Sequence, residues 1–158
     1  MRFAASFDSL VRVITISTTL LFFVITFYTI TQNPGNVLLQ AAIVVTLWVT
    51  FILCYLYHPQ GYSVTDSSVI IHRLFSNVSI PLSNVQSVRV ATDQEMRWTI
   101  RTFGVGGLFG YFARFTNTQL GNMTFYCTKR KDYVLLYTSV GLVVLSPDSP
   151  AEFVAAFG

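Results

Sequence analysis

Two uninterrupted apolar runs, Leu10–Ile30 and Val37–Tyr57, constrain this chain more than any other feature. Each is 21 residues long, and at about 1.5 Å per residue makes roughly 31 Å of helix, the thickness of a bilayer's hydrocarbon core. Arg12 is the only charged side chain between Leu10 and Tyr57. Helices of a soluble core rarely stay apolar on every face over such a length. The reading is therefore a transmembrane helical hairpin over 1–58, with spans of about 10–30 and 37–57; a buried core hairpin is the alternative. The break between the runs is Thr31-Gln32-Asn33-Pro34-Gly35-Asn36, a tiny turn without charge. A cleaved leader fits poorly, because the first run is too long for an h-region and no small-x-small site follows it.

Lys and Arg near membrane spans set their orientation. Arg2 and Arg12 flank the start of the first run, and His58 and Arg73 follow the second. Both termini and the domain behind the hairpin are thus expected in the cytoplasm, the chain being an integral inner-membrane protein. Asp8 and Arg12, four residues apart, are placed to pair at the helix start. Thr15, Ser17, Thr18, Thr19, Thr26 and Thr29 can bond back to carbonyls one turn earlier or across to another helix, inside the hairpin or between copies. No Asp, Glu, Lys or His occurs within the runs, which argues against a proton relay or a charged-substrate path. Trp48, Tyr55 and Tyr57 read as interfacial anchors.

Residues 59–158 read differently. The whole chain is only 11% charged, against about 25% in ordinary soluble proteins, but beyond Tyr57 eight basic residues face six acidic ones. That near-balance excludes the strong basic stripe of a nucleic-acid binder. Seven strand-like segments follow: Tyr62–Thr65, Val69–Leu74, Asn77–Pro81, Val85–Thr92, Asn122–Thr128, Tyr133–Thr138 and Leu142–Leu145, separated by turn-forming residues. A closing helix is expected over about 149–157, with Ser149 at the N-cap, Pro150 at N1 and Glu152 completing a capping box. Phe153, Val154 and Phe157 share its inner face.

The catalytic inventory is thin. Cys54 and Cys127 have no CxxC partner and read as free, packed thiols. His58 and His72 stand apart from any cluster of ligands. No GxSxG elbow or carboxylate pair is present. Phe109 occupies the last position of a would-be GxGxxG starting at Gly104, and no lysine completes a P-loop. No enzyme activity, cofactor or metal is expected.

The strand order, Ile80-Pro81 leading into Val85–Val90, the run Gly106-Gly107-Leu108-Phe109-Gly110-Tyr111-Phe112, and Leu145-Ser146-Pro147 followed by Glu152-Phe153 together resemble the bacterial pleckstrin-homology (PH)-like domains carried behind a pair of membrane helices. The resemblance implies an α+β chain: a small β-barrel or near-orthogonal sandwich of about seven antiparallel strands, closed by the C-terminal helix. It also implies no catalysis and a role in binding proteins or lipids. PH domains that grip phosphoinositides carry cations around their first β-hairpin loop. Here that loop is Asp66-Ser67-Ser68, so binding by that route is not expected.

The stretch Arg97–Phe115 reads as a long, glycine-bent connection rich in aromatics and spaced arginines, the side chains that suit a membrane interface. Arg97, Trp98, Arg101, Phe103, Leu108, Phe109 and Arg114 are candidate membrane or partner contacts, unless the loop simply packs over the end of the domain. Lys129, Arg130 and Lys131 form a basic turn, each worth about 1 kcal/mol of attraction to anionic lipid if it faces the bilayer. The functional expectation is a membrane-anchored interaction module that binds a protein partner, another copy of itself or the lipid surface. The alternative is an accessory subunit of a transport complex.

Overall fold

The computed structural model describes residues 1–32 and 36–157. The expected turn at Asn33-Pro34-Gly35 lies outside the described residues. The apolar runs are helices, α1 over Ser9–Gln32 and α2 over Val37–Tyr57. Both are long and apolar enough to cross a membrane, with 6% of the apolar stretch of α1 and none of that of α2 buried. Core helices of a soluble domain are mostly buried, so this exposure argues against the core-hairpin alternative.

Asp8 starts α1, its Oδ1 accepting the Val11 backbone N–H at 2.7 Å and satisfying a donor left orphaned at the helix start. The expected Asp8–Arg12 pair does not form. The other carboxylate oxygen is taken by the Arg130 backbone N–H at 2.9 Å, which leaves Arg12 exposed. Asn36 caps α2 in the same way, accepting from Leu39 N. Within the hairpin, Thr19 bonds back to Thr15 O, and Trp48 Nε1 donates to Thr26 Oγ1 across the two helices at 3.1 Å. Trp48 also meets the rings of Phe22, Phe23 and Phe51. Lying midway along α2, it joins the helices and is not an interfacial anchor.

The strands are β1 (Arg2–Ala4), β2 (Pro59–Val64), β3 (Ser68–Arg73), β4 (Val78–Pro81), β5 (Val85–Val90), β6 (Ile100–Gly106), β7 (Tyr111–Asn117), β8 (Gly121–Cys127), β9 (Val134–Thr138) and β10 (Gly141–Leu145). They form a four-stranded sheet, β1-β2-β3-β4, and a six-stranded sheet, β5-β9-β10-β8-β7-β6. The sheets are separate, an open sandwich and not a closed barrel. All neighbours are antiparallel except β8 and β10, which run parallel with Leu142 opposite Met123.

Three strands go beyond the seven expected. The glycine-bent connection is itself a β-hairpin, β6–β7, with Arg101 opposite Phe115 and Gly106 opposite Tyr111. Glycines weaken strand propensity, which hid it. The third is β1, which precedes α1 yet pairs with β2 beyond α2, Phe3 opposite Tyr62. The helical hairpin is therefore an excursion between two neighbouring strands of one sheet.

Between the sheets lie Phe3, Tyr62, Val69 and Ile71 from one side and Val134, Leu136, Val143 and Leu145 from the other. The short helix α3 (Pro150–Ala155) plugs this core with Phe153, whose ring meets Phe3 at 5.0 Å and Tyr62 at 6.1 Å. Val154 and Phe157 pack against the same cluster, as the shared face implied. Ser149 is the N-cap and Pro150 follows it, but the serine side chain makes no cap bond. A second cluster covers the outer face of the six-stranded sheet: Val11, Tyr111, Phe115, Met123, Phe125, Cys127, Leu135 and Val144. With both faces covered at its centre, that sheet carries unbroken apolar runs in β9 and β10 where alternation would be normal.

A candidate interaction surface beside the helices

The strand directions decide which end of the sandwich faces the helices. β2 leaves the helix end at Pro59 and runs about 17 Å to Val64, so Asp66-Ser67-Ser68 lies at the far end. The near end gathers three turns. In the first, Phe75 N donates to Leu56 O at 3.2 Å and the Arg73 guanidinium sits 5.3 Å over the Tyr57 ring. The second is the β6–β7 turn, Gly107 to Gly110. The third runs from Thr128 to Asp132 and is tied to the root of α1 by the Arg130–Asp8 bond.

The β6–β7 turn is wedged against the hairpin. A Cβ on Gly107 would lie 2.6 Å from Ile14 Cδ1, and its φ is +124°, so only glycine fits. Phe109 N donates to Thr15 Oγ1 at 3.1 Å. The Phe109 ring meets Phe51 at 5.1 Å, Tyr55 at 5.2 Å and His58 at 5.8 Å. Phe109 has φ +57°, a left-handed conformation that costs a non-glycine residue about 1–3 kcal/mol and persists only where packing over-determines it. Thr15 and Phe51 each lie six residues inside the domain-side end of their helix, about 9 Å along the axis. The turn thus reaches a turn and a half up the hairpin.

The candidate residues fall into separate groups. Leu108 is partly buried and Phe109 is buried at this turn. Arg101, Phe103 and Arg114 lie along β6 and β7, with Phe103 71% exposed. Arg97 and Trp98 are exposed beyond the opposite end of β6, roughly 20 Å of strand from the turn. The basic triplet is split. Lys129 is buried, 3.3 Å from Asp132 and 3.4 Å from Asp148. Arg130 rests 5.7 Å over the Tyr111 ring. Lys131 is exposed. Burial works to raise the Asp148 pKa, but hydrogen bonds from Ser6 and the Lys129 charge outweigh it and hold the carboxyl below its ordinary value.

Sequence reasoning missed several neighbours. Tyr111 and Tyr133 bring phenols beside Arg130. The 91–99 segment is no free loop. Thr92 N donates to Glu95 Oε2 at 2.9 Å and Arg89 forks onto the Glu95 carboxylate at 2.9 and 2.6 Å. These bonds, Arg89 first, hold the Glu95 pKa at about 2. The Thr92-x-x-Glu95 spacing was the available signal. His58 is buried among the rings of Phe7, Tyr55 and Phe109. Burial lowers its pKa, partly opposed by its bond to Tyr55 O.

Two sheets closed by a C-terminal helix, rooted on two helices long and apolar enough to cross a membrane, define a hairpin-linked binding domain of the PH-like class. A family profile described as "Bacterial PH domain" matches residues 60–157. The chain belongs to that family, whose domains are in general non-catalytic binding modules. No curated protein and no solved structure matches it.

Proposed function

We propose that this chain is a non-enzymatic, membrane-anchored interaction module whose PH domain lies on the cytoplasmic face and binds a partner along the open edge of β6. The carrying observation is that edge. Among the described residues β6 pairs on one side only, with β7, and presents Ile100 and Phe103 at 62% and 71% exposure, with Arg101 between them, Arg97 and the 82% exposed Trp98 just before the strand, and Arg114 beside it on β7. Exposed strand edges of this kind invite pairing unless something covers them. The hairpin holds the edge at a fixed height, because β1 and β2 fasten both of its roots. The cytoplasmic placement is supported by Arg12, Arg73, Arg130 and Lys131, all near the domain-side ends of the helices.

A photo-crosslinker placed at Phe103 in the full chain, in its native membrane, tests this. The expected products join Phe103 to a second copy, another protein or lipid, with few from the same probe at Asp66. Equal yields at the two positions contradict the reading. The transport-subunit alternative predicts that crosslinks come from exposed α1 and α2 positions such as Phe27 and Val45.

A further inference from the structure

On the outer face of the six-stranded sheet, beside the β6–β7 turn, a cavity of about 270 Å³ is walled by Arg101, Tyr111, Arg130 and Tyr133 over a floor of Phe115 and Phe125. It is smaller than the roughly 300–1,000 Å³ of pockets that enclose whole ligands, which suits a single headgroup. Among the described residues its wall holds two guanidinium groups, two phenols and no carboxylate. Gly106 makes room for one of them: a Cβ there would lie 3.3 Å from Arg101 Nη1. Arg130 lies across the Tyr111 ring at 5.7 Å. The Tyr111 hydroxyl is buried and has no hydrogen-bond partner among the described residues, and a buried polar group left unpaired calls for an explanation.

The nearby carboxylates are already engaged. Asp8 spends its oxygens on the Val11 and Arg130 amides, and Asp132 and Asp148 pair with Lys129. Among the described residues no salt bridge takes Arg101 or Arg130, and two arginine forks at one cavity are the arrangement that recognises a phosphate through charge-assisted hydrogen bonds. Asp8, whose charge reaches Tyr111, is the acidic neighbour they outnumber. Gly106 and Tyr111 flank the turn seated against Thr15, which puts the cavity beside the upper end of the helix roots.

We infer that this pocket binds phosphate, with Arg101 and Arg130 as its cationic arms and the Tyr111 hydroxyl as a donor, and that the phosphate is that of an anionic lipid headgroup. The inference rests on α1 and α2 lying in a bilayer. It concerns the opposite end of the domain from Asp66-Ser67-Ser68.

Native mass spectrometry of the full chain in detergent, titrated with phosphatidylglycerol, tests it. One retained lipid per chain is expected. Affinity should fall by about tenfold or more in Arg101→Gln/Arg130→Gln, since each lost charge-assisted bond is among the strong ones. Tyr111→Phe should weaken retention several-fold while melting no lower than the parent, a split that a merely structural tyrosine would not give. Equal retention by the parent and the double variant overturns the inference. Displacement of the lipid by millimolar inorganic phosphate overturns the lipid assignment and makes a soluble phosphate the ligand. Alkaline carbonate extraction of membranes, run in parallel, separates the two levels: release of the chain sinks the membrane reading itself, whereas retention of the chain with equal lipid binding sinks the pocket alone.

Discussion

Tyr62 shows how much one side chain organises. It is fully buried, donates to Tyr126 O at 2.6 Å and accepts from Ser146 N at 3.2 Å, joining β2 of one sheet to β8 and the end of β10 in the other. Burial drives its pKa far above the ordinary phenol value, so it stays protonated and can donate. Tyr62→Phe strands both partners, and thermal or chemical unfolding of the purified chain should register a loss of about 1–3 kcal/mol. Phe3 makes a second case. Its neighbours in sequence give no strand signal, yet its ring packs against Phe153. Phe3→Ala should cost about 3 kcal/mol in the same assay, whereas Arg2→Ala, exposed on the same strand, should change little. Periodicity could not reveal this: a three-residue strand is too short to show a pattern, and its partner lies beyond two membrane-length helices.

Among the elements, the long helices and most strands were legible because each carries its own signal: unbroken apolarity in α1 and α2, β-branched runs between turn residues in β3, β5, β9 and β10. The β6–β7 hairpin was not, because Gly104, Gly106, Gly107 and Gly110 read as a sharply bent connection. Their use is steric: Gly107 lets the turn sit directly against Ile14, and Gly104 and Gly110 leave room for the backbones of Phe112 and Cys127. Candidate contacts chosen for charge and aromaticity alone then mixed exposed side chains, such as Phe103, with internal ones, such as Phe109 and Lys129. Phe109→Ala should detach the turn from the hairpin. Hydrogen exchange should rise at 107–110, and the domain should lose about 3 kcal/mol. His58 adds a pH dependence to the same junction. Its folded pKa lies below the ordinary 6.5, so the junction has its full stability above 6.5 and loses it as the pH falls through the folded value. Replacing His58 by Phe should flatten that acid limb in unfolding measured against pH.

For the whole molecule, topology matters more than any contact. Because β1 and β2 are neighbours in one sheet, both roots of the hairpin are held by backbone hydrogen bonds, and the β6–β7 turn adds a third attachment partway up α1 and α2. A domain tethered by one flexible linker could tumble; this one presents a single end to the helices. The claim that follows is that the β6–β7 turn sits at the membrane boundary while the Asp66 turn stands away in water. Nitroxide labels on Leu108→Cys and Asp66→Cys, in a Cys54→Ala background reconstituted in vesicles, test it by relaxation with oxygen and with a water-soluble nickel complex. The account predicts that the label at 108 is relaxed mainly by oxygen, at headgroup depth or below, and the label at 66 mainly by nickel. Equal relaxation of both labels by nickel would contradict it.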